Sequence, residues 1–179
     1  MTPTPQPTAI QPASTLADAE LIALFNEVYS DYFVPVAVDE AAWQGLVGRF
    51  DIDLEASRVT ADRSGLALLG VRGGRGWVGG MGVVPAARRR GEGRALMLAL
   101  IEQARSRAVR TLMLEVLEQN APAIALYEAL GFRPVRELEV WALDAPIPPG
   151  EARETDPDEV MAWISARRLV PEPWQRQDA

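Results

Sequence analysis

The chain has 179 residues, enough for one domain with a sizeable core, and its 48% hydrophobic and 24% charged residues make an ordinary globular balance. Cys and His are absent and all 18 basic side chains are Arg, which excludes disulfides, thiolate metal sites, histidine bases, Schiff bases and lysine-dependent phosphate loops. The net charge of -7 disfavours nucleic acid as a partner. Catalysis must then rest on Asp, Glu, Tyr, Ser, Thr, Arg or the backbone. No apolar run approaches the ~18 residues of a membrane span. The start, MTPTPQPTAIQPAS, lacks the basic lead and apolar stretch of a signal peptide. A cytoplasmic protein with no membrane partner is expected.

Residues 1–8, rich in Pro and Thr, read as a flexible lead-in. A short strand is expected at Ala9 to Pro12. Thr15 and Asp18 resemble a capping box, followed at helical spacing by Leu21, Leu24, Phe25, Val28, Tyr29 and Tyr32 up to Pro35. Asp39 can cap a second helix with Trp43, Leu46, Val47 and Phe50 on its apolar face. Three strands follow, Ser57 to Ala61, Leu66 to Val71 and Trp77 to Val84, separated by Asp62–Gly65 and Gly73–Gly76 with hairpin chemistry. Gly79 and Gly80 inside the third of these point to a bulge or to a close approach of backbone or ligand.

Gly91 to Ala108 is expected to be a helix with Leu96, Met97, Leu100, Ile101 and Ala104 along one side. Thr111 to Val116 reads as an apolar strand interrupted by Glu115. Asn120 opens a helix carrying Ile124, Tyr127 and Leu130, which Gly131 closes as an αL cap. Val135 to Leu143 is a final strand region, so the domain is expected to span 9–144. Pro146, Pro148, Pro149 and Gly150 begin a linker and C-terminal extension over 145–179, with a helix expected at Asp156 to Leu169. The element order gives an α/β domain in which antiparallel hairpins precede a parallel crossover.

The most specific stretch runs from Met81 to Ala95. A strand ends, Pro85 stops further ladder pairing, and Gly91 and Gly93 flank the start of a helix. Backbone N–H groups at such a start converge on one spot, and the helix dipole favours an anion there. Glycine lets the main chain approach phosphate oxygens, and Arg adds charge-assisted hydrogen bonds. A solvated basic turn before an ordinary helix is the plain alternative. The P-loop is excluded for want of Lys. The dinucleotide fingerprint is excluded because Leu96 stands where its third Gly would be.

Arg88-Arg89-Arg90-Gly91-Glu92-Gly93 resembles the Arg/Gln-x-x-Gly-x-Gly/Ala motif of the GNAT (GCN5-related N-acetyltransferase) superfamily. A second stretch fits the same family in order and spacing: Leu114-Glu115-Val116, Asn120, Ala123, then Leu126-Tyr127-Glu128-Ala129-Leu130-Gly131-Phe132. The resemblance covers about Ala9 to Leu143 and is weakest over the first two helices. It implies a single mixed sheet with antiparallel N-terminal strands, a V-shaped splay between the fourth and fifth strands, and flanking helices. It also implies transfer of an acetyl group from acetyl-CoA, with no metal, to a primary amine of a small molecule or peptide.

By that resemblance Met81, Gly82, Val83 and Val84 pair with the pantetheine arm. Arg88, Arg89, Arg90, Gly91, Glu92, Gly93, Arg94 and Ala95 hold the pyrophosphate. Asn120 bonds the arm, besides acting as a plain helix cap. Tyr127 is the proton donor to the departing thiolate, where ordinary packing would make it a core aromatic. Deprotonating an alkylamine at neutral pH costs about 4 kcal/mol, so a base is needed. Many relatives carry a glutamate on the fourth strand, but Trp77 to Val84 has no carboxylate. Glu115 or a water-mediated route is favoured, whereas Glu27 and Asp31 read as a solvated helix face. Tyr29, Tyr32, Phe33 and Trp43 could line the acceptor pocket or simply pack. A non-catalytic CoA-binding module and a phosphate-ligand protein unrelated to CoA stay open, as does a homodimer formed by sheet-edge exchange.

Overall fold

The computed structural model describes residues 8–139 and Asp156. The chain divides into two compact units, Met1–Gly131 and one that begins at Phe132. The first is an α/β unit with a five-stranded sheet in the order β1 (Ile10–Pro12), β2 (Arg58–Thr60), β3 (Gly65–Arg72), β4 (Arg75–Val83) and β5 (Thr111–Met113). The first three pairings are antiparallel, and β4 runs parallel to β5. Helices α1 (Asp18–Val28) and α2 (Glu40–Arg49) precede β2, α3 (Glu92–Ser106) joins β4 to β5, and α4 (Ala121–Ala129) follows β5.

Strand β3 is buried along most of its length because helices cover both faces of the sheet. Leu96, Met97 and Leu100 of α3 are fully buried, each contributing about 1.5–3 kcal/mol of burial free energy. On the other face α1 lies against β4. A Cβ on Gly82 would overlap the side chain of Val28, so this close crossing requires glycine. The expected bulge in β4 is present. Leu68 pairs with Gly80 but Leu69 with Val78, leaving Gly79 as the extra residue.

Several boundaries differ from expectation for local reasons. Thr15 closes a short 3-10 turn and donates to the Pro12 carbonyl at 2.7 Å, so it does not cap α1. Ala17 stands at the N-cap, and the Glu20 carboxylate accepts its N–H at 3.0 Å. Helix α1 stops at Val28, and Tyr29 to Tyr32 form turns that reach toward the sheet instead of a further helical turn. Asp39 caps α2 as expected, accepting the Ala42 N–H at 2.8 Å. The β3–β4 turn is tighter than Gly73–Gly76, since Arg75 already pairs with Arg72.

β5 is shorter than Thr111 to Val116. It pairs with β4 only opposite Arg75, Gly76 and Trp77, because the two strands then diverge and Leu114 onward has no ladder to join. That divergence is the expected splay. In the second unit, residues 132–139 carry no strand. The expected strand from Val135 is therefore not formed over its described part, which has no neighbouring strand among the described residues, and Val135 is 92% exposed. Residues 140–143, the linker and the expected helix beyond Asp156 lie outside the described residues.

Candidate active site

Strand β4 presents two different edges. The Val84 N–H donates to the Ser64 carbonyl at 2.8 Å, on the β3 side. Alternation along the strand therefore turns the N–H and C=O of Met81 and Val83 to the opposite edge, into the splay. There the Met81 N–H donates to the Tyr29 hydroxyl at 3.1 Å, and the Val83 carbonyl accepts Arg88 Nε at 3.0 Å. The Met81 side chain points to the other face, where the Cβ of a residue at Gly93 would lie 3.3 Å from its Cε. Tyr127 of α4 brings its hydroxyl within 4.0 Å of Met81 Sδ. One residue of β4 thus touches Tyr29 through its backbone and Tyr127 through its sulfur.

The loop after β4 aims the start of α3 along this edge. Arg89 and Gly91 take positive φ, 66° and 87°, and Gly91 is the N-cap. The first intrahelical bond runs from Ala95 N–H to the Gly91 carbonyl at 3.0 Å, so the N–H groups of Glu92, Gly93 and Arg94 are open at the helix end. The Glu92 side chain is turned away from that opening. It is buried, with its carboxylate accepting Ser64 Oγ at 2.7 Å and Thr8 Oγ1 at 3.2 Å. A carboxylate left at the helix mouth would repel an anion; here it is withdrawn and tied to the β2–β3 turn. Arg89, Arg90 and Arg94 are exposed, and Arg90 Nη2 reaches back to the Ala86 carbonyl at 3.0 Å. These features fit a pyrophosphate: open N–H donors, a helix dipole and guanidinium groups in one place.

Arg88 is engaged differently from its neighbours. Its two terminal nitrogens each lie 2.7 Å from an oxygen of Asp31, and Nη2 also reaches the Val28 carbonyl at 3.3 Å. The guanidinium thus joins the loop after β4 to the turn after α1. Its hydrogen bonds hold the Asp31 carboxyl below the usual carboxylate range. Asp31 lies beyond the end of α1 and is committed to this pair, which the helical spacing did not foretell. Glu27 is exposed on α1.

Glu115 lies just past β5 at the mouth of the splay. It is exposed, and its Oε2 accepts the Trp77 indole N–H at 2.6 Å, which fixes the carboxylate against β4. Asn120 caps α4, its Oδ1 accepting the Ala123 N–H at 3.3 Å, and Gly131 closes the helix end at φ 92°. Burial pushes the Tyr29 phenol up to about 12, offset in part by the Met81 N–H. Burial also raises the Tyr127 phenol, with Tyr29 and Tyr32 adding to the shift. Both phenols therefore stay protonated at neutral pH. Of the expected acceptor-side aromatics, Trp43 is fully buried and packs on Phe25, while Tyr32 and Phe33 continue an edge-on series from Tyr29 to the surface. Among the described residues no cluster of three potential metal ligands occurs, and no helix is long and apolar enough to cross a membrane.

A model of the acetyltransferase (GNAT) family matches residues 11–132. The chain belongs to this family. It is 56% identical over 50 residues to the ribosomal protein bS18-alanine N-acetyltransferase of Escherichia coli (strain K12), a match covering 28% of this chain and 34% of that relative. It is 51% identical over 53 residues to a mycothiol acetyltransferase of Acidothermus cellulolyticus, covering 30% of this chain and 16% of the relative. These matches span about a third of one relative's length and a sixth of the other's. Among solved structures, the ribosomal-protein-S18-alanine N-acetyltransferase from Escherichia coli superposes with a TM-score of 0.58 at 27% identity. That superposition covers 72% of this chain and 79% of the other.

Proposed function

We propose that the protein transfers the acetyl group of acetyl-CoA to a primary amine, with the amino terminus of a protein or peptide as the acceptor. The splay-facing β4 edge, where the Met81 carbonyl and the Val83 N–H lead to the exposed N–H groups of α3, is the observation that carries the acetyl-CoA half: a strand edge suits an amide-bearing pantetheine arm, and a basic helix start suits the pyrophosphate it bears. The bS18-alanine N-acetyltransferases among the relatives favour a protein amino terminus over a small amine. A cytoplasmic location goes with such an acceptor.

In this reading Met81 and Val83 face the arm with their backbone groups, while Gly82 and Val84, bonded toward β3, complete the strand it lies along. Gly91, Glu92, Gly93, Arg94 and Ala95 offer backbone donors, and Arg89 and Arg90 supply charge. Arg88 contributes through its main chain, because its side chain holds Asp31. Asn120 serves as both cap and arm contact. Glu115 removes the proton of the attacking amine, directly or through water. Tyr127 meets the departing sulfur. Its raised pKa lies above that of an ordinary thiol, about 8.5, so it acts mainly as a hydrogen-bond donor to the thiolate and not as a source of a freely lost proton.

The test is a thermal melt followed by turnover. Acetyl-CoA at 100 times Kd should add about 2.7 kcal/mol of stability. A panel of peptides differing in their first residue, set beside polyamines and aminoglycosides, should show CoA release fastest with a peptide. Absence of any stabilisation would refute the cofactor assignment.

A further inference from the structure

Tyr29 was expected to line an acceptor pocket or to pack, and it does something more specific. It sits just past α1, with its ring 4.7 Å from Phe25 and 5.1 Å edge-on from Tyr32. A Cβ on Gly80 would lie in ordinary contact with its hydroxyl, at 3.5 Å, which places the phenol directly over this stretch of β4. The hydroxyl accepts the Met81 N–H at 3.1 Å, on the edge that faces the splay.

A phenol oxygen has one hydrogen to give and two lone pairs. Accepting from Met81 uses a lone pair, keeps the hydrogen available and polarises it, since linked hydrogen bonds reinforce one another. The described residues offer no acceptor for that hydrogen. It stands at the strand edge where an acyl thioester would lie.

We propose that Tyr29 is a catalytic residue of acetyl transfer: held by the Met81 N–H, its hydroxyl donates to the thioester carbonyl and stabilises the oxyanion. This rests on the acetyltransferase reading above. The amine nitrogen attacks the carbonyl carbon, the new C–N bond forms, and the carbonyl π pair moves onto oxygen, where Tyr29 meets the charge. Glu115 takes the amine proton. The C=O bond then re-forms as the C–S bond breaks, and the sulfur leaves as a thiolate hydrogen-bonded by Tyr127, taking its proton from solvent. Tyr29 keeps its own proton throughout, which its raised pKa favours. The two tyrosines divide the work, one at oxygen and one at sulfur.

The experiment compares binding of acetyl-CoA with that of S-ethyl-CoA, which lacks the carbonyl, in wild type and in Tyr29→Phe. Wild type should prefer acetyl-CoA by about tenfold, and Tyr29→Phe should lose that preference while binding S-ethyl-CoA unchanged. Its kcat should fall about 100-fold. An undiminished preference overturns the proposal. So does tighter acetyl-CoA binding in the variant, which would mean that Tyr29 merely competes with the carbonyl for Met81. If Tyr29→Phe fails to fold, 3-fluorotyrosine placed at position 29 is a stronger donor of nearly the same shape. The carbonyl stretch of bound acetyl-CoA should then move to lower frequency, and an unmoved band overturns the proposal. Wild type that binds neither ligand would refute the acetyltransferase reading itself.

Discussion

On its α3 side the β4 edge meets backbone: the loop through Gly91, the open N–H groups of the first helical turn, and a Glu92 carboxylate folded out of the way. On its α1 side it meets side chains, namely the Tyr29 hydroxyl, the Val28 methyls and the Arg88–Asp31 pair. In the proposed function the first region takes a group common to every acetyl-CoA molecule, and main-chain donors suffice. In the same reading the second suits one acceptor, and side chains can be exchanged to do so without altering the loop. A family can therefore keep one half and vary the other.

The largest expected effect breaks the backbone half alone. Gly91→Asp forces a side chain into φ 87° and sets a negative charge at the helix mouth. Acetyl-CoA affinity should fall by about 100-fold or more, read by titration calorimetry. Peptide binding, followed by fluorescence, should be unchanged. A parallel loss of both would mean that the halves are not separable.

Next come the reacting groups. Tyr127→Phe and Glu115→Gln should each lower kcat by about 100-fold and leave acetyl-CoA binding intact, as stopped-flow turnover and calorimetry can show. Gln at 115 keeps an oxygen for the Trp77 indole, so its defect should be in chemistry and not in folding. Equal losses in affinity and turnover would count against both roles.

A third measurement sharpens the side-chain half through pH. Tyr29 titrates near 10 in an unfolded chain and at about 12 in the folded one. Below pH 10 both states hold the proton and nothing is lost. Between the two values only the folded chain retains it, so stability falls as pH rises, by at most about 2–3 kcal/mol. Denaturant melts at pH 9 and pH 11.5 should show a smaller drop in Tyr29→Phe than in wild type. The smallest effect is expected from Asp31→Asn. It releases the Arg88 guanidinium, and the KM for acetyl-CoA should rise several-fold while the melting temperature barely moves, because the pair is exposed.

How much of this was legible in the sequence follows the same division. The loop from Met81 to Ala95 could be read because glycines, prolines and helix starts have local causes. Asp39, Asn120 and Gly131 do what their residue types prefer. The Thr15 cap failed because a neighbouring carbonyl at Pro12 took its hydroxyl first. The Tyr29–Met81 and Trp77–Glu115 bonds join residues 52 and 38 positions apart. Their partners are chosen by how α1 crosses β4 and where β5 diverges, and no spacing along the chain encodes that. The short β5 has the same origin, since its length depends on a neighbour's direction.

The Gly79 bulge adds a bend without changing phase. Leu69 pairs with Val78 and Leu68 with Gly80, so the ladder beyond the surplus residue keeps the alternation that β3 dictates. Deleting Gly79 would close the ladder, leave Gly80 opposite Leu68 and Met81 opposite Ala67, and so keep the Met81 N–H on the edge toward the splay. What the deletion would take away is the local bend, and with it the path of β4 past Tyr29. A residue added between Gly80 and Met81 would do the opposite, moving Met81 opposite Leu66 and turning its N–H toward β3.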